Sequence, residues 1–549
     1  MTIPQSKFFE RVWETFCSQK VSQLSILSLF ILIFFPVFFS YWLGQGVGLT
    51  WDEPTYILSG IRHFDWLIHL SPHSFSADSI RAFWFISQEH PPLAKLGFGL
   101  CHFLFSDTLG FIASARFFNS LLYGLLSLSV FLFCAKQYST KTAWIAWIIL
   151  QSLPRFSGYS CLANLDFPIA VFWTLATFCF FLGLQKKKYF WIGALLYATL
   201  WLTKFTGIFL LLPCAVWGFF YARAYFLKII LVWTSVALIL FFVFNPWMAL
   251  KPREHFSEYL GNKTARILGN TTSTISSTMK KPSRIPVFYL GETYKDKKYP
   301  VPWHYVPRMF FSTTPLVILI LLGLGLWQSW KRRKADSFSI LCVLNLVCIF
   351  GLCMISVFPR YGGVRFFLHA YPMVAILGAL GWEWLCKCCD KIWFQRLKTG
   401  ILVVLLVLNF VRLCTHRDYL LSDYSDMVSG LPGAVRLGLP LTDLEEILSQ
   451  ETFDWINTHC PQNGKVILTP LGNFVQQLYQ ALGYFRKDIQ IVDHWKQADI
   501  AVVFFHQEYF DEDLKKLFFN QTPAFQIQRE GVTLVKIFAS VKEKREREK

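Results

Sequence analysis

Long apolar runs, each about the length a helix needs to cross a bilayer, recur along most of the chain. They lie near residues 22–45, 112–134, 142–157, 167–185, 189–203, 205–222, 226–247, 308–329, 338–358, 366–386 and 399–414. The pattern predicts an α-helical polytopic membrane protein with about eleven transmembrane helices, thirteen being the upper count. The runs at 142–157 and 189–203 are short and lean on their flanks. Another run, 91–106, is interrupted by Lys95 and His102. It reads as a helix lying on the surface or re-entering, because counting it as a span inverts every later charge cluster.

The texture changes after about Pro440. Helical patterns at 442–459, 472–483 and 510–519 alternate with β-rich runs at 465–469, 488–492, 499–505, 524–529 and 531–538. This predicts a small α/β domain from about residue 441. The chain then divides into a short N-terminus (1–21), a membrane module (22–414) with long loops 46–111 and 247–307, and a tail (415–549).

Composition agrees. Hydrophobic residues make up 54% and charged residues only 16%, outside the range of soluble globular proteins. The 56 Phe, 21 Trp and 21 Tyr suit a lipid-facing surface with interfacial belts. Net charge is nevertheless +18. Lys7, Arg11 and Lys20 precede the first run and place the N-terminus in the cytoplasm. Basic clusters at 136–141, 186–188, 223–228, 331–334 and 387–398 then fall on the same side at every second turn, so most of the excess sets topology. Loops 46–111 and 247–307 and the tail are left outside. The segment 247–308 holds a local surplus, 11 bases against 4 acids, suited to drawing in an anionic lipid-linked substrate. The 14 Cys lie mostly in or beside the runs and do not read as a disulfide framework. No P-loop, dinucleotide fingerprint, internal repeat or nucleic-acid module is present.

Acids cluster on the outer side. The first loop opens Thr50-Trp51-Asp52-Glu53-Pro54-Thr55-Tyr56; Glu89-His90-Pro91-Pro92-Leu93 and Asn164-Leu165-Asp166-Phe167-Pro168 follow. Taken singly, Asp52 and Asp166 read as helix caps beside a proline. Together the three elements are richer in polar groups than capping needs, and they offer a general base and a divalent-metal or sugar site. Arg116, Arg155, Lys204, Arg360 and Arg365 lie on the same side, where a lining of cations suits a lipid phosphate; snorkelling is the plainer reading of each alone. The aromatic stretches Pro286–Glu292 and Pro302–Pro307 suit sugar stacking or an interfacial helix.

These elements, in this order, resemble the polytopic GT-C glycosyltransferases, in the branch of the protein O-mannosyltransferases and the lipid A aminoarabinose transferase. Thr203-Lys204, Trp303-His304-Tyr305-Val306-Pro307 before Thr313-Thr314-Pro315, and Arg365-Phe366-Phe367-Leu368 before Tyr371-Pro372 complete the likeness, which covers roughly residues 20–390. It implies an inverting transferase that takes a sugar from a polyprenyl-phosphate carrier to a hydroxyl of a protein, lipid A or surface glycan. Asp52 is then the base, with Glu53 beside it. Glu89, His90 and Asp166 shape the acceptor and metal environment, and Lys204, Arg266 and Arg365 hold the lipid phosphate, with Arg116 and Arg155 as further lining. A divalent metal on Glu89 and Asp166 stays open, since some members work without one. Phe366 departs from the Tyr often found there, and His90 from the Lys usual in aminoarabinose transferases. The implied location is a bacterial inner membrane with the site facing the periplasm, the endoplasmic reticulum being the alternative. The rival reading is a transporter or lipid flippase, against which stand the lack of a repeat and the placement of acids at one membrane face.

Overall fold

The structure, a computed structural model, describes residues 26–257, 285–295, 300–355, 358–388, 391–442 and 444–539. All eleven apolar runs fall on helices. Among the described residues, six helices are each long and apolar enough to cross a membrane: Phe111–Gln137, Asp166–Gly183, Arg223–Val243, Ser337–Met354, Arg365–Lys387 and Gln395–Thr415. The other five runs are built from shorter pieces. Thr140–Gln151 and Pro154–Ser160 share one run, and Lys187–Thr203 is a 17-residue helix. The run 308–329 is not one straight span: Tyr305–Thr313 and Leu316–Lys331 meet at 117°, where Pro315 cannot continue the first helix. The interrupted run at 91–106 forms the helix Leu93–Leu109, which packs against Glu53–Ile68.

Several helices start where local chemistry sets them. Pro154, Pro246 and Pro372 stand in first turns, where a missing N–H costs nothing. Ser139, Asn245 and Asp336 accept a hydrogen bond from the first turn of the helices they open. Small residues let helix backbones touch. A Cβ on Gly325 would meet the Leu377 carbonyl oxygen at 1.9 Å, and one on Gly381 the Leu321 oxygen at 2.0 Å. Gly60 and Gly99 do the same between Glu53–Ile68 and Leu93–Leu109, at 2.2 Å from the Lys95 oxygen and 2.1 Å from the Gly60 oxygen. Arg223–Val243 and Gln395–Thr415 leave Leu227, Leu231, Val403, Val407 and Leu408 uncovered, an apolar surface for lipid. The protein is a multi-pass membrane protein.

The basic turns meet at one end of the bundle: Tyr138 Oη donates to Asp336 (3.3 Å), Thr142 Oγ1 to Glu383 (3.0 Å) and Tyr221 Oη to the Arg333 carbonyl (3.0 Å). Segments 44–53, 159–166, 203–205, 358–365 and 417–424 gather at the opposite helix ends.

The tail folds as a five-stranded mixed sheet in the order Gln490–Ile491, Lys465–Thr469, Ile500–Phe504, Val532–Ala539, Phe525–Arg529, the first three parallel and the last two antiparallel. Ile500–Phe504 is buried at every position, as a central strand covered on both faces requires. Helices Asn473–Ala481 and Glu512–Asn520 fall where the periodicity puts them, while the pattern at 442–459 is divided between a short turn, Leu444–Ile447, and the helix Gln450–His459. The stretch Pro286–Glu292, for which an interfacial helix is one expectation, is instead a hairpin, Val287–Tyr289 paired with Glu292–Tyr294. Leu290 and Gly291, both at positive φ (53° and 83°), make its tight turn.

Candidate active site

Asp52 immediately precedes the helix Glu53–Ile68, and Asp166 opens Asp166–Gly183. Asn119 donates to the carbonyls of Leu162 (2.6 Å) and Asn164 (3.1 Å), and Asn164 accepts from Phe167 N (2.8 Å), which shapes the turn presenting Asp166. Lys204 follows the last turn of Lys187–Thr203 in extended backbone. Arg365 comes off the turn Gly362-Gly363, where both glycines take φ near 63° (+64° and +62°). Tyr305 Oη accepts from Gly363 N at 3.1 Å and pins that turn.

These four segments converge into a chain of charges. Arg365 donates from Nη2 to Asp52 Oδ2 at 2.5 Å and from Nε to Asp166 Oδ2 at 3.0 Å. Lys204 Nζ pairs with Asp166 Oδ1. Side-chain exposure rises along it, from 5% at Asp166 and 10% at Lys204 to 15% at Arg365 and 36% at Asp52. Among the described residues, Asp52 keeps its second oxygen without a hydrogen-bond partner, and Arg365 Nη1 and two of the Lys204 ammonium protons are likewise uncommitted. Phe366 lies under the Lys204 ammonium at 5.1 Å and beside the Arg365 guanidinium at 5.7 Å.

Glu53 occupies a different environment from its neighbour. It is fully buried and accepts from Arg116 Nε (2.8 Å) and Nη2 (2.7 Å), Ala163 N (2.7 Å), Thr50 N (2.9 Å) and Thr50 Oγ1 (3.2 Å). Arg116 spends its remaining donors on the carbonyls of Gly44, Val47 and Gly48. Among the described residues every Arg116 donor and both Glu53 oxygens are already engaged, so as arranged the pair forms a buried strut beneath the Asp52 loop. Arg155 is also a joint: almost fully buried, it donates to the Asp423 carbonyl (3.0 Å) and Thr442 Oγ1 (3.2 Å) and lies over Tyr424. Arg360 caps the end of Ser337–Met354 through the Cys353 and Met354 carbonyls.

Glu89 and His90 stand in a turn held from beneath by buried Lys95, whose ammonium donates to the carbonyls of Ser87 (2.8 Å) and His90 (2.6 Å). Glu89 is exposed. Asp166 has both oxygens bound by cations, and the two acids do not share a ligand set among the described residues, so they do not fit a common metal as arranged. The grouping that comes closest to one, His416, Asp423 and Glu530, carries Arg412 on Asp423 at 3.3 Å and reads as an ion-paired joint between the last span and the tail. Arg266 lies outside the described residues.

Tyr56, one turn after Asp52, joins the cluster. Its phenol is buried and feels the charge of Asp52 and Arg365; burial first, and then Asp52, push it well above the ordinary tyrosine range. The i, i+4 spacing from Asp52 was its sequence signal.

A family model described as dolichyl-phosphate-mannose-protein mannosyltransferase matches residues 89–249. No curated protein matches the whole-chain sequence. Among solved structures, ArnT from Cupriavidus metallidurans bound to undecaprenyl phosphate aligns over 94% of this chain and 99% of its own, at 12% identity and a TM-score of 0.50. The apo state of the same protein aligns over 92% and 97%, at 12% identity and 0.51.

Proposed function

Since the chain is a GT-C-fold membrane protein, we propose that it is an inverting glycosyltransferase, moving a sugar from a polyprenyl-phosphate carrier to a hydroxyl of a protein, lipid A or surface-glycan acceptor. The observation that carries this is the pairing, through one hydrogen bond, of Asp52 with its open oxygen and Arg365 with its spare donors. A base and a phosphate-holding cation therefore stand side by side at the exposed end of the cluster. The structural likeness to an ArnT that binds undecaprenyl phosphate supports a carrier of that class.

In this reading the carrier phosphate docks on Arg365 Nη1 and Lys204 Nζ. The acceptor hydroxyl donates to Asp52 Oδ1 and attacks the anomeric carbon from the side opposite the phosphate. The C–O bond to the acceptor forms as the bond to phosphate breaks, the configuration inverts, and Asp52 takes the hydroxyl proton. The carrier leaves as a phosphate monoester whose growing charge Arg365 and Lys204 stabilise, so no general acid is required. Asp166 orients both cations and stays ionised between them. The basic turns at the opposite end of the bundle support a cytoplasmic placement for that end and a periplasmic one for the cluster.

The test is a transfer assay in membranes with radiolabelled undecaprenyl-phosphate sugars, comparing wild type with Asp52→Asn and Lys204→Met. Loss of a general base lowers the rate by about 10²–10⁴-fold. Normal transfer by Asp52→Asn overturns the base assignment, and substrate flux across the bilayer without transfer favours a transporter.

A further inference from the structure

The tail holds the loop that carries Asp52, and this goes beyond the transferase reading on which it rests. Between Gly44 and Asp52 the backbone polar groups are divided between two neighbours. Carbonyls 44, 47 and 48 turn toward Arg116 in the helical module. Amides 48 and 49 turn the other way, into the tail: Gly48 N donates to the Glu446 carbonyl at 2.8 Å, and Leu49 N to the Tyr479 hydroxyl at 2.6 Å. Leu49 is wholly buried and Tyr479 nearly so. A Cβ on Gly48 would stand 2.3 Å from the Glu445 carbonyl oxygen, so loop and tail are in backbone contact there. Beside Asp52 itself, Trp51 stacks on Tyr509 at 6.3 Å between ring centres with 13° between planes. Two of the three tail segments making these contacts, those at 445–446 and 508–509, are linked through His506, whose Nδ1 meets Glu508 at 3.1 Å and whose Nε2 faces Glu445 at 3.5 Å.

We propose that the tail is a working part of the active site, with Tyr479 as a positioning residue that sets Asp52 against Arg365 by fixing the amide three residues earlier. A buried amide must find an acceptor, and Leu49 finds it only in the tail. Tyr479→Phe removes that acceptor and nothing else. The loop then keeps its hold on Arg116, the Gly48–Glu446 hydrogen bond and the Trp51–Tyr509 stack, but loses the one acceptor for the Leu49 amide. A shift of about 1 Å in a reacting group is enough to cost on the order of 10²-fold in rate.

The test uses the full-length protein in detergent and reads three quantities. Hydrogen exchange over residues 46–52 should rise roughly tenfold in Tyr479→Phe, the worth of one net hydrogen bond. Turnover should fall at least as much, while affinity for undecaprenyl phosphate, followed by tryptophan quenching, stays within about twofold because Arg365 and Lys204 are untouched. Gly48→Ala, which pushes the loop from the tail sterically, should reproduce both changes. Unchanged exchange in both variants overturns the proposal, as does a loss of carrier affinity at constant turnover. A wild type that transfers no sugar overturns the functional reading instead, and the exchange result then decides the tail's hold on the loop by itself.

Discussion

Asp52 and Glu53 are adjacent carboxylates that the structure puts in opposite situations, so conservative amides at the two positions should part cleanly. Glu53→Gln keeps the volume but replaces one acceptor oxygen by an NH₂ group. Each carboxylate oxygen receives at least two N–H or O–H donors, two on Oε1 and three on Oε2. Whichever way the amide turns, its NH₂ faces donors, at least two charge-assisted or backbone hydrogen bonds are lost, and Arg116 becomes an unpaired cation in the interior. Removing one partner of such a buried pair costs about 3–5 kcal/mol. Asp52→Asn forfeits one charged contact at a site one-third open to solvent, worth about 1 kcal/mol or less. Thermal unfolding in detergent, followed by light scattering and tryptophan emission, should therefore show a large drop in midpoint for Glu53→Gln and almost none for Asp52→Asn. Transfer per folded molecule should show the reverse order. If Glu53→Gln is as stable as wild type yet inactive, the strut assignment is wrong and Glu53 belongs to the chemistry.

Further outcomes follow from the same geometry. Arg365→Ala should weaken undecaprenyl-phosphate binding by roughly 10–100-fold, the value of one or two charged hydrogen bonds, and Arg365→Lys should not restore it because an ammonium cannot reach Asp52, Asp166 and a phosphate at once; equilibrium binding checks both. Gly325→Ala and Gly381→Ala should each lower the unfolding midpoint, by at least about 1–3 kcal/mol of overpacking, since the new methyl meets backbone rather than a movable side chain. His506 supplies a pH signature. Burial alone would lower its pKa, but Glu508 and Glu445 outweigh burial and hold the imidazole up at about 10. An unfolded histidine titrates near pH 6.5, so this group's stabilisation is complete below about 6.5 and is lost as pH rises through about 10. Exchange protection of residues 46–52 should fall over that alkaline window, and His506→Gln should remove the pH dependence while lowering protection throughout.

Periodicity made most of the architecture legible. All eleven apolar runs are helical, some as two pieces, and most of the tail's strands and helices sit within a few residues of their patterns, because burial of one face leaves a periodic trace in the residues themselves. The break at Pro315 and the hairpin at Leu290-Gly291 were harder to see. Apolarity is continuous across the first, and the second needs a positive φ at a leucine, which composition does not announce.

The cluster itself was only half legible, for a different physical reason. Arg116, Arg155, Lys204 and Arg365 look alike in a sequence: each is a cation near the outer end of a helix. What separates them is how many of their N–H groups are already spent, which depends on carbonyls and acids brought in from distant segments, and whether solvent reaches those left over. Among the described residues Arg155 keeps Nη2 unpaired, but it is buried. Arg116 finds three loop carbonyls and Glu53 and is exhausted; Arg365 finds two carboxylates and keeps donors to spare. The same accounting separates Glu53, with five donors on two oxygens, from Asp52, with one. A strut must be saturated to tolerate burial, whereas a binding group must keep capacity and some access to solvent. Residual hydrogen-bonding capacity that solvent can reach, rather than residue type or position along the chain, therefore separates the groups we propose to be available to a substrate from those that hold them in place. By that measure the set we propose to react is Asp52, Arg365 and Lys204, with Asp166 ion-paired between the two cations.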